Sequence, residues 1–180
     1  MASLGQRMVG AMQADVKTFQ EIEADPSALT QAVTVIVIAA IASFIGNIWR
    51  QGVSFGVISM MISLVSYALW TLVIVLVGTK LMPEPATKAD FQEGFRVIGF
   101  TAAPGVFNVL AIIPFLGPVI SFVIALWMLV IGVIAVREVL DYSNTGRAII
   151  VCLIAMVICW IVTFVVLTPL FLGAAIMGSR

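Results

Sequence analysis

The chain has 180 residues, 62% of them hydrophobic and only 10% charged, with nine basic and nine acidic side chains that cancel. A soluble domain carries about 25% charged and about 45–50% apolar residues, and a chain this short has too little interior to hide the excess. Its main solvent is therefore a bilayer. The balanced charge removes nucleic acid as a default partner, and the absence of histidine removes imidazole catalysis and His-based metal sites.

The first 25 residues hold six charges and no apolar run, so no cleavable signal peptide is expected, nor, without a nearby cysteine, a lipid anchor. Leu4, Met8, Met12, Val16, Phe19 and Ile22 recur at spacings of four and three. That pattern predicts one cytoplasmic amphipathic helix over 1–25, lying in the headgroup region or packed under the bundle, or else docking a partner. Asp25-Pro26 would end it and open the first span, because Asp accepts from free helix N–H groups and proline suits the first helical position.

Four charge-free runs follow, at 26–49, 51–79, 97–136 and 148–179. A helix needs about 20 apolar residues to cross the hydrocarbon, so the first two runs each give one span, with a loop around Arg50. The third run is long enough for two, split by Pro114-Phe115-Leu116-Gly117-Pro118, where prolines and glycine break the helix. The expectation is an all-α integral membrane bundle over 26–180, with spans near 29–49, 57–79, 97–113, 119–137 and 148–170. Between the second and third, Thr87 is expected to cap a helix bearing Phe91 and Phe95. Arg96 should snorkel or pair with Glu138 or Asp141.

Arg7, Lys17, Lys80, Lys88, Arg96, Arg137 and Arg147 fall on one side of this topology, and Arg50 and Arg180 on the other. The positive-inside rule then places the N-terminus in the cytoplasm and the C-terminus outside.

No charged residue falls mid-span, where transporters and pumps usually carry one; Arg50, Lys80, Arg96, Arg137 and Glu138 sit at the span ends. The uncharged polar residues there include Ser43, Ser59, Ser63, Ser66 and Asn108. Asn108 reads as helix–helix glue or as a pathway contact. Ala39/Ser43, Ala42/Gly46, Gly52/Gly56 and Ser59/Ser63 have the four-residue spacing that lets backbones approach. Cys152 and Cys159 read as apolar fillers, too few for a metal site. Trp49 suits an interfacial belt. Trp70, Trp127 and Trp160 lie deeper, packed between helices or facing lipid or a partner.

The stretch Glu23-Ala24-Asp25-Pro26-Ser27-Ala28, then Gly99-Phe100-Thr101-Ala102-Ala103-Pro104, then Ile113-Pro114-Phe115-Leu116-Gly117, Trp127 and Arg137-Glu138 resemble the Yip-domain family of five-span membrane proteins. The resemblance makes Asp25, Pro26, Gly99, Pro104, Pro114, Gly117 and Arg137 structural motif positions and implies a protein that is not an enzyme. Eukaryotic relatives contact Rab-type GTPases and one another in trafficking or membrane shaping. This chain lacks their long cytoplasmic N-terminal region and their Asp-Leu-Tyr-Gly-Pro motif, which argues against Rab binding. It is more similar to compact bacterial members, implying the bacterial cytoplasmic (inner) membrane.

The leading expectation is an adaptor, organiser or accessory subunit working by lateral contacts, with lipids, other membrane proteins or itself as partners. Ser43, Gly46, Ser59, Ser63, Ser66, Asn108 and Trp127 are its candidate contacts. No cofactor is expected beyond bound lipid. The rival is a small-solute or lipid transporter or channel built on the broken region from Pro104 to Pro118. An intramembrane enzyme would lack any nucleophile–base pair.

Overall fold

The computed structural model describes residues 2–167 and 169, with the backbone alone for 51–56, 58, 59, 166 and 167. The surroundings of Ser59, Gly52 and Gly56, the last residue of the expected fifth span and Arg180 lie outside the described residues. Two short helices, α1 (Leu4–Met12) and α2 (Val16–Ala24), precede a 49-residue helical element, α3 (Ala28–Leu76). A π-helical turn (Val77–Leu81) extends α3. Then come α4 (Phe91–Phe100), a 3₁₀ helix (Ala103–Ile112), α5 (Gly117–Val139) and α6 (Thr145–Val162), which ends in a second π-helical turn (Thr163–Leu167). No strand occurs among the described residues.

Four segments are long and apolar enough to span a membrane: Ala28–Arg50, Met60–Leu81, Gly117–Val139 and Thr145–Val165. They match the first, second, fourth and fifth expected spans within a few residues. The expected loop around Arg50 is instead helical backbone. The element still reverses there. A β-carbon built on Gly99 would meet Ala32, and one on Gly94 would meet Thr71 and Val75. Gly94 and Gly99 are barely more than one turn apart on α4, whereas a straight helix would hold Ala32 and Thr71 about 58 Å apart at 1.5 Å per residue. The two arms of α3 therefore fold back beside each other, and the reversal lies between Arg50 and Met60.

The third expected span, 97–113, is not one helix. It starts earlier, at Phe91, and bends by 41° between α4 and the 3₁₀ helix. Pro104 is the reason: it has no N–H for the Phe100 carbonyl, and its ring would strike that carbonyl in a continuous helix. The segment nevertheless travels the length of the first arm, with Gly99 against Ala32, Gly105 against Ala39, and Asn108 and Ala111 against Gly46. A 3₁₀ helix rises about 2.0 Å per residue instead of 1.5 Å, so its ten residues cover about 20 Å in place of about 15 Å. Stretching lets a short apolar segment run as far as its neighbour.

The reversal at Pro114-Phe115-Leu116-Gly117-Pro118 is the tight turn its composition predicts. Gly117 N–H donates to Ile113 C=O at 3.0 Å, Phe115 adopts a left-handed φ of 66°, and α5 begins at once with a proline in its first turn. At the opposite, charged end Tyr142 donates its hydroxyl to Met82 C=O (2.8 Å) and Thr87 to Leu140 C=O (2.8 Å). Thr87 is thus not the cap of α4. Asp90 is, in a reciprocal capping box with Glu93, because Asp90 and not Thr87 stands three residues ahead of a glutamate.

The N-terminal segment departs most from expectation. The stripe from Leu4 to Ile22 is not one helix but a hairpin, broken at Gln13, Ala14 and Asp15, with Ala14 at φ 55°. Asp15 accepts from the Lys17 and Thr18 N–H groups and so starts a new helix. Gly10 lets α1 lie close to Thr18 of α2. The hairpin is packed into the bundle: Ala11, Phe19 and Ile22 are fully buried in the same apolar cluster as Val35, Phe100 and Val136.

Candidate functional site

At the charged end, Arg7 is enclosed (side chain 1% exposed) and joins the hairpin to the bundle. It donates to Gln31 Oε1 at 3.0 Å, Glu21 Oε1 at 2.9 Å and Asp25 Oδ2 at 2.6 Å. Asp25 also accepts from the Ser27 hydroxyl at 2.7 Å and the Ser27 N–H at 2.9 Å. The Ser27 hydroxyl first, then Arg7, hold its carboxyl down at about 2. The Asp25-Pro26 motif is thus a corner clamped by an arginine from α1, with Pro26 itself exposed.

Arg96 neither snorkels nor pairs with Glu138 or Asp141. It is buried, and Nη2 donates to Glu23 C=O at 2.7 Å. Glu138 instead accepts from Gln20 at 3.2 Å. The docked hairpin supplies both partners, the Glu23 carbonyl to Arg96 and the Gln20 amide to Glu138. Glu23 is pushed from 4.5 to about 7, first by desolvation and then by the charges of Asp141 and Glu93. Arg137 donates to Tyr142 C=O at 3.3 Å and so closes the end of α5.

Trp127 donates its indole N–H to Met12 C=O at 2.9 Å, satisfying a carbonyl at the end of α1. Its ring stacks on Phe107 with centroids 5.9 Å apart and planes 11° apart. The tip of the hairpin therefore reaches midway along α5.

The interior holds two adjoining cavities. The larger, about 560 Å³, opens between the second arm of α3, α5 and α6, and includes Ser66, Trp70, Thr101, Leu129, Cys152 and Cys159 in its walls. The smaller, about 190 Å³, lies between both arms of α3 and the 3₁₀ helix and includes Ser43, Asn47 and Asn108. Ser63, Tyr67 and Met128 line both. No charged side chain among the described residues lines either.

Ser43, Ser63, Ser66 and Asn108 thus converge on this interior. Gly46 does not join the lining of these two cavities; it packs against the Asn108 backbone carbonyl and Ala111. Ser63 Oγ donates to Met60 C=O at 2.8 Å and Thr101 Oγ1 to Ile98 C=O at 2.7 Å, satisfying both within their own turns. The Ser43 and Ser66 hydroxyls, the Tyr67 hydroxyl and the Asn108 side-chain amide have no hydrogen-bond partner among the described residues. Among the motif positions, Gly99 and Pro104 are buried where the broken span meets the first arm, Gly117 is buried against Ala111, and Pro114 is exposed in the turn.

Tyr67 and Met128 are missing from the residues singled out by sequence, and Trp70, expected to pack between helices or face lipid or a partner, lines the larger cavity. Spacing held the signal: Ser63, Ser66, Tyr67 and Trp70 follow a three-to-four residue repeat on one face. Tyr67 is also one of two tyrosines and sits mid-span, away from the interfacial position that suits the residue.

The Yip1 domain family matches residues 9–167, and the chain belongs to that family, as an integral membrane protein. The match takes in most of the N-terminal hairpin, the broken span and the Pro114 turn. No curated protein and no solved structure matches the chain.

Proposed function

We propose that this Yip1-domain protein is a non-enzymatic lipid-handling protein of the bacterial cytoplasmic membrane, with its N-terminus in the cytoplasm, that holds one membrane lipid in its lateral cleft. The observation that carries this reading is the cavity of about 560 Å³ between the second arm of α3, α5 and α6. Ligand sites commonly enclose about 300–1,000 Å³ and are mostly apolar with a few placed polar groups. A partner helix, about 10 Å across with its side chains, needs an open face instead. The small residues Gly46 and Ser63, natural candidates for such a face, are turned inward on the chain's own elements.

The test is photo-crosslinking in vesicles doped with a monoacylglycerol that carries a diazirine on its acyl chain, followed by mass-spectrometric mapping. Crosslinks should concentrate on cleft residues such as Trp70, Leu129 and Cys159. An even spread over the outward residues Phe122, Val130 and Trp160, all well exposed, would refute the reading. One observation favours an accessory subunit instead: the exposed rings of Trp160 on α6 and Phe164 on the π-helical turn after it pack in a tilted pair, with centroids 4.6 Å apart. Gentle extraction that yields a stoichiometric protein partner, lost on Trp160→Ala, would support that alternative.

A further inference from the structure

We infer that the two cavities form a single site for a neutral, single-chain amphiphile, with hydrocarbon in the cleft and an uncharged hydroxyl or carbonyl head in the inner pocket. The inference rests on the reading of the cleft as a lipid site and adds the class of lipid. The cavities share the walls Ser63, Tyr67 and Met128, so an occupant of one abuts the other across a flexible methionine. Both linings are mostly hydrocarbon, and the inner pocket adds to the shared Ser63 and Tyr67 the side-chain amides of Asn47 and Asn108 and the Ser43 hydroxyl.

Polar groups held away from water cost free energy unless they are hydrogen-bonded, and membrane depth offers little water to satisfy them. Asn108, Tyr67, Ser43 and Ser66 are left without partners among the described residues, and Asn108 and Tyr67 both face the inner pocket. An amide and two kinds of hydroxyl offer both donors and acceptors, which suits a hydroxyl or ester carbonyl. They suit an ionised head poorly, because no countercharge among the described residues lines either cavity and an unpaired charge at this depth is costly.

Cys152 and Cys159 are the chain's two cysteines and both line the cleft, so the protein carries its own reporters. The experiment measures thiol labelling of the intact protein by N-ethylmaleimide, counted by mass spectrometry, against increasing monoolein, ionised oleate or octadecene. Monoolein should protect at a concentration roughly tenfold below the other two, the ratio expected when two hydrogen bonds are made in place of none. Asn108→Ala and Tyr67→Phe should each shrink that ratio while octadecene still protects.

Equal protection by monoolein and octadecene in the wild type would overturn the head pocket and leave the cleft reading intact. Stronger protection by oleate would overturn the neutral class. Protection by none of the three would remove the cleft reading and this inference with it. The wild-type comparison decides the matter even where a variant fails to fold.

Discussion

Phe19 gives the sharpest test of the hairpin, because two arrangements assign it opposite environments. It is fully buried, in the cluster that contains Val35, Phe100 and Val136. An aromatic side chain buries about 150–250 Å², which at about 25 cal/mol per Å² corresponds to about 4–6 kcal/mol. Measured Phe→Ala costs in cores are about 3–5 kcal/mol. An undocked α2 would rest at the membrane surface and not in bulk water, so the lower end applies. About 3 kcal/mol corresponds to about a 10²-fold shift in the docking equilibrium. The assay replaces both native cysteines with alanine and places one at Ala11, on the fully buried face of α1 in the hairpin itself. Its labelling by a water-soluble maleimide then reports undocking. Phe19→Ala should raise the labelling rate by about 10²-fold, or to the limit of a free segment, with α3–α6 intact by circular dichroism. An unchanged rate would mean that Phe19 packs against lipid, and the hairpin described above would be wrong.

Other expectations follow from the same geometry. Glu23 is raised from 4.5 to about 7 by desolvation, Asp141 and Glu93, so its contribution to docking is full below about pH 4.5 and is lost as pH rises through 7. The thermal midpoint should therefore fall between pH 5 and pH 8, and Glu23→Gln should flatten that part of the profile; an unaltered profile would exclude Glu23 as its source. Gly99→Ala would set a methyl 2.8 Å from the Ala32 side chain, with Ala32 Cα at 3.5 Å behind it, and should cost about 1–3 kcal/mol by overpacking. Gly132→Ala meets nothing within 4 Å and should be neutral or stabilising by up to about 1 kcal/mol, so denaturation in detergent should rank the two in that order. Trp127→Phe keeps a ring against Phe107 but drops the bond to Met12, and should raise Ala11-site labelling by about fivefold, the equivalent of about 1 kcal/mol.

Sequence reasoning reads best where a property belongs to one element. Charge positions bound the spans because a charge in hydrocarbon is costly whatever surrounds it, so Arg50, Lys80, Arg96 and Arg137 bracket the crossings before any packing is known. The Pro114 turn is legible for a similar reason, since proline and glycine act on their own backbone. The candidate site was half legible. Ser43, Ser63, Ser66 and Asn108 stand out as polar residues in apolar runs, whereas Tyr67 and Met128 look like ordinary span residues until two cavities meet at them.

Composition and charge position alone determined that this protein is an all-helical membrane bundle and where four of its apolar spans lie, since each transfer cost is paid residue by residue. Tertiary structure decided the rest: that the stripe from Leu4 to Ile22 folds into a hairpin inside the bundle, that Arg96 meets the Glu23 carbonyl, and that the Pro104 segment stretches into a 3₁₀ helix along the first arm. An apolar stripe has the same periodicity whether lipid or protein covers it. Only the neighbours, brought from distant parts of the chain, determine which one does.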